Sequence, residues 1–279
     1  MLMGHCHLFP GGFGESKRDE FGVPGTAEHL HAFVKSCGFD KAQVLAPVED
    51  PADPSVNARI AGRDGLDWLL AQPHVGVSEN SALLPAATIR PDAPGAAEKL
   101  KTAIALGVRM LKVHPVIMRS NTLAPESAPF WRAADAARMV VVYHTGGGGW
   151  GWTGECASPS ACAALAGKYG GISLLMAHCG VFGGEDRFEE GVCAAEAHPN
   201  LYFDTTAALL PVGAARWNKA LDRLGPGRVI YGNDYPWVTR DSVAEEVRFI
   251  DSLGLSPDEM EMVLGGNLLR LWGAARFAA

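Results

Sequence analysis

The sequence predicts a (β/α)8 barrel of the TIM type, an α/β fold, and three observations carry that expectation. Short apolar, β-branched runs alternate with longer alanine-rich stretches along the whole chain. The runs are continuously apolar, as strands buried on both faces of a parallel sheet must be. They recur eight times at spacings of roughly 25–40 residues, the length of a strand with its crossover helix.

The strands are expected at residues 2–8, 42–46, 75–78, 108–113, 139–144, 172–177, 201–204 and 228–232. Helix starts fall between them. Asp53-Pro54 reads as a cap with proline at the first helical position, opening a stretch that runs to Leu70. Ser158-Pro159 opens another. Ser256-Pro257-Asp258-Glu259 adds a capping box before residues 260–264. With no second composition regime and no linker, residues 1–279 read as one barrel domain.

Composition narrows the partners. The chain has 48% hydrophobic and 20% charged residues, enough apolar material for a large core. A net charge of −7 without a Lys/Arg run argues against nucleic acid or an anionic membrane surface. The N-terminus lacks the pattern of a signal peptide, and no apolar stretch approaches membrane-spanning length, so a cytoplasmic protein is expected. Cys6, Cys37, Cys156, Cys162, Cys179 and Cys193 have no Cys-x-x-Cys spacing and read as free thiols.

In such a barrel, catalytic groups gather at the carboxyl ends of the strands. His5 and His7 end the first strand, His114 the fourth, His144 the fifth and His178 the sixth. About one histidine would fall at such positions by chance, since they form roughly a tenth of a barrel. In His5-Cys6-His7 the two imidazoles share the inner face and Cys6 points to the helices. They can converge on one cation if the strand end bends. The eighth strand delivers Asp234 at the corresponding height, and a carboxylate just after a buried strand needs a partner or a cation.

His5-Cys6-His7, Leu111-Lys112-Val113-His114-Pro115, Tyr143-His144-Thr145-Gly146, Ala177-His178-Cys179-Gly180 and Tyr231-Gly232-Asn233-Asp234-Tyr235-Pro236 stand in this order, followed by Gly265-Gly266-Asn267. This series resembles the amidohydrolase superfamily, in particular its amidohydrolase 2 branch. That branch includes lactonases and nonoxidative decarboxylases of aromatic or amino-muconate acids. The resemblance implies that His5, His7, His144 and Asp234 bind one divalent ion, with an open position for water. Three imidazoles and a carboxylate suit zinc, with manganese as the alternative.

The resemblance further implies a catalytic Asp234, with His178 near the substrate for proton transfer or electrostatic stabilisation. In a hydrolysis, water activated at the ion attacks a lactone, ester or amide of a small carboxylated compound. In a decarboxylation of an aromatic or dienoic acid, the same residues hold the carboxylate and protonate carbon. A barrel that keeps its metal without turnover is a third reading. Lys112, two residues before His114, is the candidate ligand for a second ion; unmodified and buried, it would need a carboxylate partner. His114, Arg119, Trp150 and Trp152 are expected to line the substrate pocket. Asp204 reads as bonded locally, and Asn267 as a structural anchor. A homodimer or homotetramer is expected from the resemblance.

Overall fold

Eight parallel strands pair in chain order in the computed structural model, which describes residues 1–10, 25–48, 64–147, 155–184 and 186–275. In order these are β1 (Leu2–His7), β2 (Lys41–Leu45), β3 (Leu83–Thr88), β4 (Met110–Val113), β5 (Val140–His144), β6 (Ser173–Ala177), β7 (Leu201–Asp204) and β8 (Val229–Ile230). A parallel bridge between Gly4 and Gly232 joins β8 back to β1. Gly4 N–H donates to the Tyr231 carbonyl at 3.0 Å, and Asp234 N–H donates to the His5 carbonyl at 3.0 Å. The fold is a (β/α)8 barrel.

Among the described residues, the α-helices between the strands are α1 (Ala27–Ser36), α2 (Gly65–Leu70), α3 (Ala96–Ala105), α4 (Pro115–Met118), α5 (Ala128–Ala136), α6 (Pro159–Lys168), α7 (Phe188–Ala197), α8 (Leu209–Val212) and α9 (Ala214–Leu224). After β8 come α10 (Arg240–Asp251), α11 (Pro257–Glu261) and α12 (Asn267–Ala274). Ser158 caps α6 by accepting from Ala161 N–H, and Ser256 with Glu259 forms the expected capping box on α11. The expected start at Asp53-Pro54 lies outside the described residues. Within them, α2 is capped by Asp64, whose carboxylate accepts from Leu66 N–H at 2.9 Å.

One strand differs from expectation. Residues 75–78 are not a strand, and β3 is Leu83–Thr88, five of whose six residues are buried. Pro85 and two alanines disguise it, because proline and alanine are depleted in strands. Val75 keeps only an isolated bridge to Leu83.

Alternation along the strands divides the core in two. Outward side chains such as Met3, Val141, Leu174 and Phe203 pack under the helices. Inward ones, including Leu2, Leu84, Met110, Val140, Val142 and Leu175, fill the barrel, where Leu268, Leu271 and Trp272 of α12 join them. Asn267 holds that helix by donating to the carbonyls of Pro226 and Val229, both at 2.9 Å, which is the anchoring role expected of it. The six cysteines are all free, as expected. Among the described residues, no helix is long and apolar enough to cross a membrane.

Candidate metal centre

The two histidines of β1 reach the barrel interior because the strand is bulged. From Met3 to Cys6, β1 takes one more residue than β2 takes from Ala42 to Val44. His5 occupies the bulge at φ 53°, a left-handed conformation unusual for a residue with a Cβ. Without that extra residue, His5 and His7 would follow Met3 onto the helix-facing side. With it they face inward and Cys6 joins the outer core. Gln43, inward on β2, takes the His5 backbone N–H on its Oε1 at 3.0 Å.

His5, His7 and Asp234 place one ligand atom each within 4.8 Å of one another. Asp234 Oδ1 lies 3.2 Å from His7 Nε2 and 3.7 Å from His5 Nε2. Its backbone is also left-handed, at φ 64°, as is that of His178 at φ 63°. Strained backbone thus concentrates where the site is assembled. The donor set fits a divalent ion: two imidazoles and a carboxylate, converging in a buried place with no competing thiolate. His144 stands beside this trio and outside it. Its ring centroid lies 4.7 Å from that of His178, and it stacks on His114 at 3.7 Å.

Hydrogen bonds sort the rings by tautomer. His5 Nδ1 lies 2.7 Å from Asp204 Oδ2, an acceptor only, so its proton is on Nδ1 and its lone pair on Nε2. His178 Nδ1 lies 3.1 Å from the Thr206 carbonyl and carries its proton there, leaving Nε2 as an acceptor. His114 is the opposite case. Its Nδ1 accepts from Ile117 N–H at 3.3 Å, so the neutral ring is a donor at Nε2.

Charge follows burial. Desolvation lowers His7 to about 4 despite its bond to Asp234, and lowers His178 to about 3 despite the Asp234 charge. It takes His114 and His144 well below the ordinary imidazole value, helped by the surrounding cationic groups. Burial alone would raise Asp234, but the bond from His7 and the charges of His5 and His7 hold it below the carboxylate range. At pH 7 the lowered rings of His7, His114, His144 and His178 are neutral, and Asp234 is ionised.

Lys112 enters this cluster from β4, with its Nζ 2.9 Å from His5 Nε2. Its direct partner is therefore an imidazole and not a carboxylate. Burial lowers it to about 8, while the charges of Asp234 and Asp204 oppose that loss. Aromatic groups flank the trio. The Trp237 ring meets His7 edge-on at 5.3 Å, Phe9 stacks on His7 at 6.0 Å, and Phe182 packs on His178 at 4.4 Å. Arg119 is exposed at the end of α4, in a left-handed conformation. Trp150 and Trp152 lie outside the described residues.

Sequence reasoning read Asp204 as bonded locally, as it is to Thr206, but missed its bond to His5 and passed over Gln43 and the three rings at the rim. Asp204 had a usable signal. Leu201 and Phe203 are outward, so Tyr202 and Asp204 must point inward by the two-residue period of the strand. Gln43 and Phe182 gave no such sign.

The sequence matches the amidohydrolase family model over residues 5–274. A comparison with curated proteins gives no sequence match. Among solved structures, a zinc-bound amidohydrolase from Burkholderia multivorans is similar, with a TM-score of 0.68, 15% identity and 98% of each chain covered. So is 5-carboxyvanillate decarboxylase from Sphingomonas paucimobilis, at TM-score 0.66, 15% identity and 98% of each chain. A probable 2-pyrone-4,6-dicarboxylic acid hydrolase from Acinetobacter baumannii gives 0.62, 13% and 98% of each chain.

Proposed function

We propose, from the premise that this chain belongs to the amidohydrolase family, that it is a metal-dependent hydrolase opening a lactone, ester or amide of a small carboxylated compound. The observation that carries this reading is the convergence of His5, His7 and Asp234, with an ionised carboxylate that stays 20% exposed among buried imidazoles. A divalent ion, zinc or manganese, held by these three with His144 beside them would polarise the substrate carbonyl and bring the pKa of water to about 7.

The chain's own groups then divide the remaining work. Asp234 is the accessible base: it takes a proton from the attacking water and returns it to the leaving oxygen or nitrogen. Lys112 and the Nε2–H of His114 are the donors suited to charge developing on the carbonyl oxygen. His178 has its lone pair on Nε2 while neutral, which suits proton relay. As an oxyanion donor it would first have to be protonated, against its lowered pKa. Phe9, Trp237 and Phe182 screen the site from water. Arg119 is the candidate for holding a substrate carboxylate at the rim.

The test has two parts. Elemental analysis of the purified protein should find about one zinc or manganese per chain. A panel of lactones and aromatic acids, followed for acid release and for carbon dioxide, should give acid release alone. Carbon dioxide without hydrolysis would replace this reading with decarboxylation. Two ions per chain would bring Lys112 in as a ligand, and a loaded protein inert on the whole panel would favour a binding role.

A further inference from the structure

We propose that Asp204 is a positioning residue for the cation site, holding His5 as the Nδ1–H tautomer so that its Nε2 lone pair is delivered to the ion. This rests on the metal-dependent reading above, and concerns how this chain builds its site.

Asp204 is the last residue of β7, inward by the period of the strand and 2% exposed. Its two oxygens are assigned separately. Oδ1 accepts from Thr206 Oγ1 at 2.6 Å and from Thr206 N–H at 3.1 Å. Oδ2 meets His5 Nδ1 at 2.7 Å. A purely local turn would need only the first pair. The second reaches across the barrel closure to a residue 199 positions away.

The far side of the His5 ring supplies an independent observation. An ammonium group can only donate, so Lys112 Nζ at 2.9 Å requires a lone pair on His5 Nε2. Two partners on opposite nitrogens therefore agree on one tautomer, the one a cation needs.

The contact is also built in sterically. A Cβ on Gly232 would lie 2.4 Å from Asp204 Oδ1, 2.5 Å from Thr206 Oγ1 and 2.9 Å from His5 Cβ. Only a glycine at that point, two residues beyond β8, lets β7 press its carboxylate against the β1 histidine. Carboxylates behind a ligating imidazole fix the ring and raise its basicity, and removing one typically weakens metal binding 10–100-fold.

The test uses D204N, which keeps the shape and removes the charge. Zinc affinity is measured by competition with a chromophoric chelator, and folding by circular dichroism. The expected result is a Kd for zinc raised about 10–100-fold in a folded protein. In a His5→Ala background the same change should add nothing, because Asp204 acts through His5. Unchanged affinity in D204N, or equal losses in both backgrounds, overturns the proposal. A second measurement needs no variant: 15N NMR of histidine-labelled, metal-free wild-type protein should show His5 protonated at Nδ1, and protonation at Nε2 overturns the proposal. Zinc bound tightly and weakened by D204N, in a protein with no turnover, upholds this inference and sinks the hydrolase reading.

Discussion

At the amino end of the barrel, Leu2, Leu84, Met110 and Val140 close on Leu268, Leu271 and Trp272 of α12, an apolar plug on whose edge the Arg109 guanidinium stacks over Trp272 at 4.3 Å. At the carboxyl end the same strands carry different cargo. Two residues along β4, Met110 gives way to Lys112; along β5, Val142 gives way to His144; along β7, Tyr202 gives way to Asp204. There, too, the left-handed residues His5, His178 and Asp234 are found. One end gains free energy from burying hydrocarbon. The other buries titratable groups and strained backbone, both of which cost stability. A single stave thus serves stability below and chemistry above, over a distance of two residues.

Substitutions can break this contrast. The largest effect is expected of Asp234→Asn, which should cut kcat/KM by about 10²–10⁴-fold and reduce bound metal. Steady-state kinetics with elemental analysis checks this, and an active, fully loaded variant would refute the role of Asp234. Leu268→Ala at the plug should destabilise the fold by about 2–5 kcal/mol in denaturant titration, with metal content unchanged.

Acid should separate the two ends. The folded pKa of His7 is lowered to about 4 from an ordinary 6.5. Above 6.5 neither state holds the proton. As pH falls through 6.5 the unfolded chain takes up a proton that the folded chain refuses, so stability declines until His7 itself titrates near 4. His178, His144 and His114 act in the same direction. Thermal midpoints should therefore drop steadily from pH 7 toward 4.5, and a flat profile would mean that folding does not lower the pKa of these rings. The smallest effect belongs to Ser256→Ala, which removes the cap of α11 at a cost of about 1 kcal/mol and leaves kinetics untouched.

Much of this was legible beforehand, for reasons that particular residues make plain. β5 and β6 could be located because a strand buried on both faces must be apolar throughout. Their terminal histidines stood out because an imidazole is rare in such a run. β3 was misplaced by several residues because Leu83–Thr88 owes its strand to its neighbours and not to its own composition: two alanines and a proline carry little preference for it. Arg119 was legible only as a cation near β4, since its exposure depends on how α4 ends.

The sequence by itself determined the barrel and put His5, His7, His144, His178 and Asp234 at strand ends, because burial acts locally along the chain; that His5, His7 and Asp234 converge while His144 stands outside them came from the structure. Tertiary structure decided how those groups are aimed. The β1 bulge, the tautomers of His5, His178 and His114, and the pairing of Asp204 and Lys112 across one imidazole all arise from contacts between distant strands. A hydrogen-bond partner 199 residues away leaves no periodic trace in the chain, and only the closed barrel brings it within 2.7 Å.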